Sequence, residues 1–153
     1  TGPRRGDVFA ESTFAKQIAL AEGGFIDPVI KVGNLESMRT IADVRDAVRA
    51  YHMLVTVKPI SGEYYNIGGS HSCTIGEILN DLISLSTIKD QLKVEVDKDR
   101  IRPIDADLQV PDTSKFKNHT GWEPVIPYEK TILDLLDFWR IQVAKNNGNY
   151  LTR

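Results

Sequence analysis

Three arginine-bearing stretches carry the chemistry this sequence can offer: Arg4 and Arg5 behind Gly2-Pro3, Arg39 a few residues beyond Gly33-Asn34, and Arg100 with Arg102-Pro103. A guanidinium is a planar fork of donors that meets phosphate oxygens two at a time. Proline fixes its own φ and glycine tolerates positive φ, so these stretches read as loops that present an arginine. Three such loops converging at one edge would make a site for a diphosphate, helped by the positive ends of nearby helices. The plainer alternative is that they are solvated surface charges in weak ion pairs. Glu36, Asp105 and Asp107 either accept from sugar hydroxyls or balance the neighbouring arginines.

No nucleophile or metal set accompanies them. Cys73 is the sole cysteine; a helix starting just after it would lower its pKa, but no histidine partner is identifiable. His52, His71 and His119 lie far apart, without ligand spacing. The sequence contains no Gly-x-Gly-x-x-Gly loop, so no dinucleotide fold of its own is expected. It also lacks Tyr-x-x-x-Lys, since Tyr51 and Tyr128 are followed at that spacing by Val55 and Ile132.

The elements that must position these residues follow from periodicity and punctuation. Phe9 to Ala21 reads as a helix ended by Gly23-Gly24, and Pro28 to Gly33 as a strand. Asn34 to Ala42 reads as a loop. Asp43 caps a helix to about Val57, with Val44, Ala47, Val48, Tyr51, Leu54 and Val55 as its apolar stripe. Asp43, Arg45, Asp46 and Arg49 then read as that cap plus surface ion pairs. Glu63 to Gly69 reads as a buried strand, and Thr74 with Glu77 as a capping box opening a helix to about Leu85. Leu92 to Val96 alternates like an edge strand, and 97–110 is a charged loop. A short helix follows Asp112 or Thr113, Trp122 staples the last helix, and that helix runs from Tyr128 to about Ala144. The expected fold class is α/β in the sense of an α+β lobe: mainly helical, with a few short strands and no doubly wound sheet.

The chain of 153 residues is 41% hydrophobic and 26% charged, with a net charge of -2. That is enough for one domain with a core, and gives no bulk attraction to nucleic acid or to a membrane. No apolar run reaches the ~20 residues of a bilayer span. The reading is a cytoplasmic-type domain over residues 1–145 with a polar tail at 146–153. The first residue is Thr1, not Met, which leads us to expect a piece of a larger protein.

Several strings in order resemble the nucleotide-sugar enzymes of the extended short-chain dehydrogenase/reductase family, also described as NAD-dependent epimerases/dehydratases. They are Thr1-Gly2-Pro3-Arg4-Arg5-Gly6-Asp7-Val8-Phe9; Val32-Gly33-Asn34-Leu35-Glu36-Ser37-Met38-Arg39 with Asp43-Val44-Arg45-Asp46; Gly62 to Gly69; Arg102-Pro103-Ile104-Asp105; Asp112 to Lys115; and Gly121-Trp122-Glu123-Pro124. The likeness spans roughly residues 1 to 140. Pro3-Arg4-Arg5-Gly6 and Gly33-Asn34-Leu35 with Ser37 and Arg39 look most like the GDP-mannose 4,6-dehydratase branch. The 43–46 run and Leu135-Leu136-Asp137-Phe138-Trp139-Arg140 look at least as much like the sister GDP-4-keto-6-deoxy-mannose reductases. A non-catalytic nucleotide-sugar binding module is the further alternative.

The resemblance implies roles. Arg39 and Arg102 would hold the diphosphate of a GDP-sugar, with Asp105 near the ribose or sugar. Val32, Gly33 and Asn34 would line the base pocket largely by backbone, and Lys16 would face the same pocket. Pro3 would sit near the nicotinamide of NADP. Arg4 and Arg5 would reach the NADP of a neighbouring subunit in a homo-oligomer, a dimer or a tetramer. The implied lyase reaction oxidises C4, eliminates water across C5 and C6, and returns the hydride to C6. Its Tyr and Lys, its acid and base and most of its NADP site are expected upstream of Thr1, so no catalytic residue and no metal ligand is assigned here. An exposed apolar face is expected at Ile30, Val32 and the Phe9–Ile18 helix, where an upstream domain would pack.

Overall fold

The computed structural model describes residues 1–57, 59–101 and 107–149. Its centre is α1 (Ala10–Glu22), whose Phe14, Ala15, Ile18 and Ala19 recur at helical spacing and are all buried. Gly23 ends the helix, its N–H reaching the Ala19 carbonyl at 3.1 Å. Helices α3 (Ile75–Ser84) and α5 (Tyr128–Lys145) pack on α1. Strand β1 (Val29–Val32) lies along the same core, so that Ile30 and Val32 belong to one buried cluster with Ile18, Leu79, Leu82 and Leu135. The box of Thr74 and Glu77 that opens α3 forms as the sequence indicates: each side chain bonds the backbone N–H of the other.

Two small sheets flank this core. Strand β1 pairs in parallel with β4 (Lys93–Val96), from Val29 opposite Lys93 to Val32 opposite Val96. The free edge of β1 is closed by a side chain: the Gln17 amide donates to the Lys31 carbonyl at 3.1 Å and accepts from its N–H at 2.9 Å. The second sheet has the order β3-β2-β5, built from β2 (Met38–Ile41), β3 (His71–Thr74) and β5 (Leu108–Gln109). Strands β2 and β3 are antiparallel, and β2 and β5 parallel. The fold class is the expected one, helices with a few short strands. The strands themselves differ. β2 lies in the stretch read as a loop and β5 in the charged loop, each too short and too exposed to alternate visibly. Glu63 to Gly69 forms no ladder among the described residues, and Tyr64 is 81% exposed. Its end is pressed against β2 instead: a Cβ on Gly69 would lie 1.6 Å from the Ile41 carbonyl oxygen, which only glycine allows.

Helix α2 (Val44–Thr56) is turned over relative to its sequence pattern. Val44, Val48, Tyr51 and Val55 of the apolar stripe are exposed, whereas Asp46 and Ala50 are buried. The cause is the carboxylates on its other face. Asp43 is 3% exposed and accepts from the Arg45 backbone N–H, the Arg45 guanidinium and the Thr131 hydroxyl of α5. Burial raises its pKa, and these donors outweigh that and hold it at about 2. Asp46 is 1% exposed, accepts the N–H groups of Val125 and Ile126, and pairs with Arg49. These four residues are therefore tertiary clips and not only surface pairs. Beneath α2, Ala50 forms a satellite core with Phe116 of α4 (Ser114–Thr120) and Trp122, so Trp122 anchors α4 and α2, not the last helix.

The exposed apolar face thus lies on α2. Of the face expected at Ile30, Val32 and the Phe9–Ile18 helix, Phe9 is exposed, but Ile30, Val32, Phe14 and Ile18 are buried inside the chain itself, because α3, α5 and β4 already cover them. Among the described residues no helix is long and apolar enough to cross a membrane.

Candidate functional site

A cavity of about 650 Å³ opens between the N-terminal turn, the start of α1, the end of β1 and the β2–β5 pair. Its basic side chains come from different elements: Arg5 from the turn, Lys31 from β1, Arg39 from β2 and Arg100 from the 3-10 turn Lys98–Arg100. Glu11 and Asp99 are the acidic residues of the lining. Four cationic against two anionic side chains favour an anionic ligand, in a concave site where field is focused. The apolar part of the lining is Phe9, Phe14, Ile41 and Ile75.

Local geometry fixes the cations. Gly2-Pro3-Arg4-Arg5 is a β-turn, closed by the Arg5 N–H on the Gly2 carbonyl at 3.2 Å, with Arg4 at φ 69°. The Arg5 guanidinium lies 3.3 Å from the centre of the Phe9 ring and donates through Nε to Glu11 at 3.2 Å. Arg39 donates through Nη1 to the Met38 carbonyl, and it sits on the central strand of the second sheet, opposite Cys73 and Gln109. Lys31 follows from alternation in β1, where Ile30 and Val32 point into the core and Lys31 out of it. Asn34 is locked by its own loop: its amide donates to Ser37 Oγ at 3.0 Å and its carbonyl accepts the Glu36 N–H at 2.9 Å.

Of the residues singled out by sequence, Gly33, Asn34, Arg39 and Arg5 line this one cavity. Val32, expected to line the pocket as well, is buried in the core and is not part of the lining. Lys16 is also buried and bonds Asp7 Oδ2 at 2.7 Å; it is not part of the lining. Pro3 and Arg4 lie in the turn, outside the lining, with Arg4 exposed. Arg102 and Asp105 fall outside the described residues. Glu36 is exposed and does not line the cavity. Arg100, named with Arg102 among the arginine-bearing stretches, also lines it, and Lys31 and Gln109 join the lining without having been singled out for it. Lys31 is legible in the strand's alternation; Gln109 is hidden by the inconspicuous β5.

Cys73 lies away from these cations, in a shallow second pocket with His71 and Asp81. Burial pushes its thiol pKa up, opposite to the lowering expected from the helix start. Tyr128 stacks on His71 at 4.1 Å and donates to Asp81 at 2.8 Å; its own pKa is raised, first by burial and then by that bond.

The arrangement of helices and short strands around this cavity is that of the extended short-chain dehydrogenase/reductase architecture. The structure of RMD from Pseudomonas aeruginosa complexed with NADPH superposes with a TM-score of 0.80 at 25% identity, over 93% of this chain and 46% of that one. UDP-glucuronic acid 4-epimerase from Bacillus cereus shares the fold, with a TM-score of 0.77 at 21% identity over 93% of this chain and 43% of its own. Residues 1–135 match the family model described as GDP-mannose 4,6 dehydratase, and the chain belongs to that family. Among curated relatives, GDP-6-deoxy-D-mannose reductase of Pseudomonas aeruginosa is 25% identical over 94% of this chain and 46% of its own length. GDP-mannose 4,6 dehydratase 1 of Arabidopsis thaliana is 28% identical over 88% of this chain and 37% of its own. The chain therefore spans less than half the length of these relatives.

Proposed function

We propose that this chain is the nucleotide-sugar binding portion of an NADP-dependent GDP-mannose 4,6-dehydratase that converts GDP-mannose to GDP-4-keto-6-deoxy-mannose. The observation that carries the reading is the single cavity that gathers Arg5, Arg39 and Arg100 beside Gly33-Asn34, in a chain of this family. Guanidiniums suit the diphosphate, the Gly33-Asn34 backbone suits the base, and the apolar wall of Phe9 and Phe14 excludes water from the hexose side. Arg39 and Arg102 are assigned to the diphosphate, Asp105 to the ribose or sugar, and Lys16 to holding this edge of the site.

When bound, the nicotinamide would accept a hydride from the sugar and return it. The residues of this chain assigned to it are Pro3, Arg4 and Arg5. Arg5 suits that role. Glu11 holds it by Nε and Phe9 supports its face, while its terminal amino groups make no bond among the described residues. A phosphate would take those donors pairwise. In this reading residues 1–145 orient the substrate, and the proton transfers belong to residues outside them.

Calorimetry of the chain with GDP-mannose tests the binding assignment. Weak binding is expected of a part of a site; tight binding would favour a free-standing module. No turnover of GDP-mannose with NADP is expected from the chain alone, and turnover would overturn the division of labour. The reductase relative and the fit to RMD favour a second reading, GDP-4-keto-6-deoxy-mannose reductase. The longer protein decides between them. A dehydratase consumes GDP-mannose without net oxidation of NADPH, whereas a reductase consumes NADPH stoichiometrically with the 4-keto sugar.

A further inference from the structure

Gly33 and Arg100 are placed by one close contact. A Cβ on Gly33 would lie 2.5 Å from the Arg100 carbonyl oxygen and 3.0 Å from its carbonyl carbon, both backbone atoms that have nowhere to move. The 3-10 turn Lys98–Arg100 is thus laid flat on the end of β1. It is fastened there by the Asp97 N–H on the Val32 carbonyl at 2.8 Å and by the Arg100 N–H on the Asp97 carbonyl at 3.0 Å. The Asp97 carboxylate holds the Arg100 side chain, accepting from Nε at 3.3 Å. Both terminal amino groups of Arg100 make no bond among the described residues, and the residue lines the cavity. Arg45 and Arg140 differ: both their terminal amino groups are spent, on Asp43 and Asp134 and on Glu22 and Asp137, and Arg49 spends one of its two on Asp46.

We infer that Arg100 is a phosphate-binding residue of this cavity, and that Gly33 is the positioning residue that lets its turn close over β1. The inference rests on the nucleotide-sugar reading above and deepens it. It gives Gly33 a role besides lining the base pocket, and it picks Arg100 out of the charged loop by the backbone contact that seats its turn on β1. A guanidinium pinned at Nε presents its two end nitrogens in one plane, which is the geometry of a bidentate phosphate contact.

The test measures dissociation constants of GDP and of guanosine for the 153-residue chain and its variants. Arg100→Gln is expected to weaken GDP by about tenfold or more and to leave guanosine within about twofold, with Arg100→Lys between wild type and Arg100→Gln. Gly33→Ala is expected to reproduce the loss for GDP, because the turn can no longer lie on β1. Arg100 is half-exposed, so Arg100→Gln keeps the fold, and an unchanged melting midpoint verifies that. Equal GDP affinity in wild type and Arg100→Gln would overturn the inference while leaving the nucleotide reading intact. So would an equal loss for GDP and guanosine. No GDP binding by the wild-type chain would overturn the nucleotide reading and this inference together.

Discussion

Arg4 holds φ at 69° in the turn before α1, a conformation that costs a residue with a Cβ about 1 kcal/mol. Its side chain is exposed and does not line the cavity, so the fold gains nothing that offsets the cost. Arg4→Gly is therefore expected to leave the melting midpoint unchanged or to raise it. Arg4→Val, branched at Cβ, is expected to lower stability by about 1 kcal/mol. A clear loss of stability in Arg4→Gly would mean that the guanidinium itself supports the turn. At this scale the sequence is informative where chemistry is local. Arg5 and Arg39 can be picked from residue type and neighbours alone, and Gly33 and Asn34 from the family resemblance. Arg100 can be named that way but not set apart from its neighbours, because its placement depends on a backbone contact with a residue 67 positions earlier (from Gly33 to Arg100).

Between elements, buried carboxylates do what hydrophobic stripes do elsewhere. Glu22 at the end of α1 accepts from Arg140 of α5, from Ser86 Oγ and from the Thr87 N–H. Burial raises its pKa, and these donors overcome that and bring it to about 2. Asp43 joins α2 to α5 in the same way, also at about 2. Both folded-state values are depressed below the ordinary 4.5 and 3.8. Their stabilisation is thus complete above those ordinary values and is lost as pH falls through about 2. Urea midpoints measured at pH 5, 3.5 and 2.5 (chosen around the carboxylate range of about 4) should fall at each step. Asp43→Asn should flatten that fall, and at neutral pH Asp43→Ala should cost about 3 kcal/mol. A midpoint independent of pH in this range would show that the clips contribute little. These clips also explain why the stripe of α2 misleads. Its caps and its length follow from sequence, but periodicity names an apolar face without saying whether that face turns inward. Asp43 and Asp46, tied to α5 and to Val125-Ile126, decide the matter the other way. Strands β2 and β5 escape for a related reason: two to four residues with one charged or polar member carry no period of their own.

For the molecule as a whole, Val44, Val48, Tyr51 and Val55 leave one helix face unpartnered among the described residues, at 40%, 58%, 63% and 67% exposure. A contiguous apolar face of this kind promotes association. The double variant Val48→Lys with Val55→Lys should lower dye binding to exposed apolar surface and reduce concentration-dependent sedimentation. Its melting midpoint should stay close to that of the wild type, since neither side chain is part of either core. A large drop in the midpoint would place this face inside the cooperative unit. The opposite economy appears at Gln17. One amide on α1 occupies both the N–H and the carbonyl that Lys31 turns away from β4. At Lys31 β1 consequently has no vacant backbone group among the described residues for a second strand to pair with. Gln17→Ala removes that stopper without touching the core, and is expected to open this edge to chain-to-chain pairing, visible as seeded growth in light scattering.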